Sequence, residues 1–145
     1  MAVSFQIEDG HGTERRAVVT KFGEIASGQL HYSSSSSVNV DVVNTAYNMV
    51  PPRHQQEHII ITGIVLTANK NVGTSDARVI LYCNGEGPTS RTQEIVLVET
   101  EIAKNDTFTL NPVAIEILPG KWVNVETDDD DIFVTLLYYY VEEFE

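Results

Sequence analysis

Several kinds of residue that carry chemistry are scarce in this sequence, and each scarcity excludes something. One cysteine, Cys83, stands among 145 residues, so no disulfide can form within the chain, and a lone thiol in the apolar stretch RVILYC reads as core filling rather than as a nucleophile. No apolar run is long enough to cross a bilayer as a helix: the longest, Ile132 to Val141, has ten residues where about 20 are needed. Nine Lys and Arg stand against 21 Asp and Glu, a net charge of −12. Such a field repels phosphate backbones, and no basic stripe interleaved with aromatics overcomes it, so neither nucleic acid nor membrane is expected as a partner. A charged partner is expected to be basic. The start MAVSFQIEDGHG lacks the basic and apolar regions of a signal peptide, which sets the expectation of a chain made and used in the cytoplasm or released by lysis.

What is present is β-strand signal. Of the sequence, 42% is apolar and 21% charged, a composition suited to one folded core. From Val38 onward VNVDVV, HIIITGIVLTAN, ARVILYCNGEG, QEIVLVET, DTFTLNPVAIEIL, KWVNVET and DIFVTLLYYYV follow one another, rich in β-branched residues and separated by turn dipeptides such as Asn84-Gly85, Gly87-Pro88 and Pro119-Gly120. Helical periodicity is absent. About eight short strands predict an all-β fold, a single antiparallel β-sandwich of jelly-roll type.

The first 30 residues differ. VSFQI and RRAVVTKF are short strand-like pieces separated by EDGHGTE, too small to bury a core alone. Residues 1–30 are therefore expected to form an extended N-terminal arm or edge hairpin, and residues 31–145 the sandwich. Ser33 to Ser37 read as the mobile passage between them.

The last strand segment has an unusual pattern. Ile132, Val134, Leu136, Tyr138 and Tyr140 would face one side of a strand, and Phe133, Leu137, Tyr139 and Val141 the other, so both faces need cover. An antiparallel strand in a monomeric sandwich normally shows one polar face, which points to a second subunit, or to the arm, over this strand. Phe133, Leu137, Tyr138, Tyr139 and Tyr140 are the candidate oligomer-interface residues. A central strand covered by its own loops is the alternative.

No constellation suggests catalysis or a cofactor. His11, His31, His54 and His58 read as solvated loop residues, the serines lack the surroundings of an activated nucleophile, and no glycine-rich phosphate loop precedes a helix. No catalytic residue is assigned and no enzyme expected. Asp128, Asp129, Asp130 and Asp131 alone could gather oxygens for calcium, but the spaced ligands, turn glycine and distal glutamate of an EF-hand are missing, and a solvated hairpin loop is the simpler reading. No metal site is therefore assigned.

The succession HYSSSSSVNVDVVNTAYNMVPP, HIIITGIVLTANKNVG, ARVILYCNGEG and GKWVNVETDDDDIFVTLLYYYV, preceded by IEDGHGTERRAVVTKF, resembles small β-sandwich virion proteins of tailed bacteriophages, of the head decoration or cement type. The likeness spans roughly residues 3 to 141. It implies a homotrimer on the outer capsid surface of a virion, assembled in the host cytoplasm, with an N-terminal arm gripping the major capsid protein. The arm's candidate capsid-contact residues are Phe5, Ile7, Arg15, Arg16, Lys21 and Phe22. Similar sandwiches occur in tail and fibre proteins, so a receptor- or carbohydrate-binding module stays open as the alternative, and a hydrolase stands third.

Overall fold

The computed structural model describes residues 4–8, 14–18, 34–69 and 76–142. Two compact units divide the chain, residues 1–32 and residues 33–145. In the first, β1 (Ser4–Glu8) and β2 (Glu14–Val18) pair antiparallel with Ser4 opposite Val18 and Glu8 opposite Glu14.

The described residues of the second unit form nine strands: β3 (Ser34–Val40), β4 (Tyr47–Val50), β5 (Glu57–Ala68), β6 (Ala77–Asn84), β7 (Ile95–Ile102), β8 (Thr107–Leu110), β9 (Ile115–Ile117), β10 (Trp122–Thr127) and β11 (Ile132–Glu142). No helix occurs among the described residues. One sheet has the order β3-β11-β5-β8, with β9 on the other half of β5, and the second has the order β4-β10-β6-β7. Every pairing is antiparallel. The pairs nest from the outside in: β3 with β11, β4 with β10, β5 with β8 and β9, and β6 with β7. A long hairpin rolled up on itself gives this order, which is that of a jelly roll.

Alternation along the strands builds the core between the sheets. Ile64, Leu66, Ile132, Val134 and Leu136 of one sheet meet Val79, Leu81, Val123 and Val125 of the other, all at most 1% exposed. Each such side chain contributes about 1.5–3 kcal/mol when buried. On β5 the inward positions change parity, from Ile59 and Ile61 to Ile64, Leu66 and Ala68. A bulge accounts for the change. Gly63 lies opposite Leu137 and Ile61 opposite Tyr138, leaving Thr62 as the extra residue. Thr62 is held there by its Oγ1 donating to Leu137 O at 3.2 Å and its own carbonyl accepting Val113 N–H at 3.0 Å. The stretch HIIITGIVL thus presents Ile59, Ile61, Ile64 and Leu66 to one core face despite their irregular spacing.

Two expectations need correction. Ser34 to Ser37 are not a passage between parts: they lie in edge strand β3, opposite Tyr138, Leu137, Leu136 and Thr135. Pairing with β11 supplies the backbone hydrogen bonds that serine composition alone does not favour. Small hydroxyl side chains also keep this edge polar. The strand then stops at Val40, before the rest of VNVDVV, because a turn follows with Asn44 at φ 51° and the Tyr47 hydroxyl donating to Asp41 at 2.6 Å.

Candidate interaction surfaces

The parity of β11 sorts its residues as the sequence alternation expects. Ile132, Val134 and Leu136 are buried, and Tyr138 and Tyr140 continue their row, packed against the core. Tyr138 and Tyr140 meet edge to face at 5.7 Å, the Arg53 guanidinium lies 4.2 Å from the Tyr140 ring centre, and the Tyr140 hydroxyl donates to Pro51 O at 2.7 Å. Burial raises the Tyr140 hydroxyl pKa, so it stays a neutral donor. Arg53 also forks onto both oxygens of Glu57, each at 2.9 Å. These tyrosines seal one end of the sandwich within the chain itself, and of the five candidate interface residues they are the two not turned outward.

The alternate row of β11 faces away from the core. Phe133 is 45% exposed, and Leu137, Tyr139 and Val141 are half-buried, as are Ile60 and Val65 on neighbouring β5. Leu137 crosses the sheet over Gly63, where an added Cβ would stand 3.1 Å from Leu137 Cδ1. Small polar groups border this stripe: Ser37 and Thr135 share a hydrogen bond at 2.8 Å, and Thr67 and Thr107 lie across from each other. At one end of it His58, expected as a solvated loop residue, is instead buried on β5 with Nδ1 2.8 Å from Glu116 Oε1. A continuous strand through Glu57–Ala68 carries His58 into the sheet, which its polar neighbours in the sequence do not show.

The outer face of the second sheet is covered differently. After β6 the segment from Gly85 to Glu94 folds back across the sheet. The Tyr82 hydroxyl donates to Ser90 O at 2.9 Å, Asn84 Nδ2 to Thr92 O at 2.8 Å and Asn124 Nδ2 to Gly87 O at 3.0 Å. Tyr82, Asn84 and Asn124 are fully buried beneath the segment although they face outward from the core. Burial, with the Glu126 carboxylate nearby, pushes the Tyr82 hydroxyl up to about 12. Lys121 pairs with Glu94 and holds the returning chain, which keeps the Glu94 carboxyl below its ordinary range. None of these polar anchors stood out in the sequence. Each asparagine is an ordinary turn or strand residue until the loop closes over it.

Beside that loop lies a cleft of about 280 Å³ lined by Arg78, Arg91, Gln93 and Asn44, with Ile80, Glu126, Thr127 and Asp128 completing it. Among the described acidic residues of the C-terminal third, most of them set in solvent, Glu126 is the exception: its side chain is 7% exposed, and it receives Arg91 Nε at 2.7 Å and Gln93 Nε2 at 2.6 Å.

The remaining candidates are dispersed. Asp128 accepts the Arg78 backbone N–H at 2.7 Å, the Asp129 carboxylate accepts Asp130 N–H at 2.9 Å, and Asp131 sits at φ 56° in the β10–β11 turn. Among the described residues no three His, Cys, Asp or Glu side chains gather as a metal site. Phe5, Ile7, Arg15 and Arg16 fall at register positions of the β1–β2 hairpin, with Ile7 opposite Arg15. Lys21 and Phe22 lie outside the described residues.

No protein-family model and no curated protein matches the sequence. A solved structure reported under the words "Bacillus endospore appendages form a novel family of disulfide-linked pili" is similar at 14% identity and a TM-score of 0.43, covering 79% of this chain and 92% of that one. The β-sandwich assignment rests on the strand pairing described above.

Proposed function

We propose that this protein is a non-catalytic structural subunit that associates with copies of itself through the outer face of the β3-β11-β5-β8 sheet and stabilises a larger shell. The observation that carries the reading is the outward apolar row of Phe133, Leu137, Tyr139 and Val141, flanked by Ile60 and Val65. Apolar side chains set side by side on an otherwise solvated sheet are a surface that association covers. In a closed trimer each subunit's patch would meet a second surface of its neighbour, and rotation would repeat that contact three times. The occupant is a second copy. Covalent linkage is no part of the reading, since Cys83 is 1% exposed and burial raises its thiol pKa.

The resemblance to tailed-phage head decoration proteins supplies the shell: the outer capsid surface of a virion, with the major capsid protein as partner. Residues 1–30 are proposed as the attachment element, with Phe5, Ile7 and Phe22 as apolar anchors and Arg15, Arg16 and Lys21 as basic contacts. Linkage then gives the activity its physical form. A protein that binds the assembled shell and not its dissociated subunits stabilises the shell by mass action, and an oligomer that holds several attachment elements at once multiplies a modest affinity.

The test is to prepare particles lacking the protein, add it back to saturation and follow genome release on heating. Decorated particles are expected to release DNA at a higher temperature. Saturating attachment with an unchanged release temperature contradicts cementing, and attachment only to tails or fibres gives the protein a different place in the virion.

A further inference from the structure

The cleft on the second sheet lies on the opposite side of the sandwich from the apolar row. A subunit docked through β11 and its neighbours would therefore present the cleft to solvent. We propose that this cleft binds a neutral saccharide ring, a role beyond the structural one.

The cleft is assembled from four separate parts of the chain, and hydrogen bonds fix each of them. Asn44 in the β3–β4 turn donates its N–H to Thr127 O at 2.8 Å. Arg78 of β6 and Asp128 of the β10–β11 turn are clamped by a reciprocal pair, Arg78 N to Asp128 Oδ1 at 2.7 Å and Asp128 N to Arg78 O at 3.1 Å. Arg91 and Gln93 come from the segment that closes over β6, and both donate to Glu126 at the base. A site whose polar groups are already held loses little freedom when a ligand arrives.

Charge decides the ligand class. Arg78 pairs with Glu99 through Nε at 2.7 Å, and Arg91 pairs with Glu126. Counting Asp128, two guanidiniums meet three carboxylates. An anion finds no net positive field there, in a chain carrying −12 overall. A simple cation meets two fixed guanidiniums at the rim. A hydroxyl group both donates and accepts, which is the character of this lining: guanidinium and amide donors alternate with carboxylate acceptors. Each guanidinium has five N–H donors, more than one carboxylate can take up. Ile80 adds an apolar element for the C–H face of a sugar ring, and about 280 Å³ accommodates one ring rather than an extended chain. No aromatic ring is among the lining residues. Affinity at one site is accordingly expected in the millimolar range, raised by several copies on one assembly.

The experiment uses the full ¹⁵N-labelled chain, titrated with the methyl glycosides of glucose, galactose, mannose and N-acetylglucosamine, and separately with sodium sulfate and citrate. At least one glycoside is expected to give saturable shifts at the amides of Arg78, Gln93 and Asp128. Gln93→Ala and Arg78→Ala, both at exposed positions, should each weaken that binding about tenfold, the value of one lost charge-assisted or well-placed hydrogen bond. Phe133→Ser, on the opposite sheet, should leave it unchanged. The proposal is overturned by no shift with any of these glycosides, by shifts confined to other surfaces, by tighter binding of sulfate or citrate, or by unaltered affinity in both cleft variants. Because Phe133→Ser alters the proposed assembly face alone, a failure of self-association and a failure of sugar binding are read separately.

Discussion

Tyr139 and Tyr140, adjacent in the chain, point to opposite sides of one strand: Tyr140 is locked by Arg53 and the Pro51 carbonyl against the core, while Tyr139 stands opposite Ile60 in the outward row. Substitutions at the two positions should therefore separate folding from assembly. Tyr140→Ala loses ring burial, the cation–π contact and a hydrogen bond, and is expected to lower unfolding stability by about 2 kcal/mol. Tyr140→Phe should cost about 1 kcal/mol through the hydrogen bond alone. Tyr139→Asp should leave the monomer's stability within about 1 kcal/mol while removing any dependence of the melting temperature on protein concentration. Urea unfolding followed by circular dichroism measures the three stabilities, and thermal melts at several protein concentrations measure the last effect.

Acid should attack the Arg53–Glu57 pair. Hydrogen bonding from Arg53 holds the Glu57 carboxyl below its ordinary value of 4.5. The folded protein thus binds this proton less readily than the unfolded chain does. The resulting stabilisation is complete above the ordinary carboxylate range and is lost as pH falls through the lowered folded value. Between neutral pH and about pH 3 the native protein should lose more stability than the Glu57→Gln variant. Equal losses would show that the pair contributes nothing to the acid limb.

How far the sequence discloses this molecule depends on the range of the interactions involved. Strand positions and the two faces of β11 were readable because alternation is a local property, expressed residue by residue. The serines were not, since β3 exists through pairing with a strand about 100 positions away, as Ser37 and Thr135 illustrate. His58 misleads for a similar reason: its polar neighbours Gln55 and Gln56 belong to a turn that ends two residues earlier, and Glu116 reaches it from β9. The cleft was hidden completely. Its base, Glu126, looks like part of the acidic run ETDDDD until Arg91 and Gln93 arrive with the returning loop.

Cys83 should behave as a core residue. It lies among Leu81, Val123 and their neighbours at 1% exposure, and desolvation raises its pKa. A thiol-specific disulfide reagent at neutral pH is expected to modify the native protein on the order of a hundredfold more slowly than the urea-unfolded chain. Comparable rates would mean that β6 opens readily or that the thiol is accessible.

Removing residues 1–32 should leave the jelly roll intact, because the nine described strands that build it lie in residues 33–145. The shortened chain is expected to keep its far-ultraviolet dichroism and to melt within a few degrees of the full protein, yet to lose attachment to particles. Unfolding on truncation would make the hairpin a structural part of the sandwich.

The most direct test of the central claim is the mass of the protein in solution, measured by multi-angle light scattering at micromolar concentration. The chain mass is 16.1 kDa. Association through the outward row of β11 requires an oligomer, expected at three chain masses, and requires that Tyr139→Asp return it to one while preserving the fold. A native protein that runs as a stable monomer, or a Tyr139→Asp variant that remains fully associated, would contradict the account.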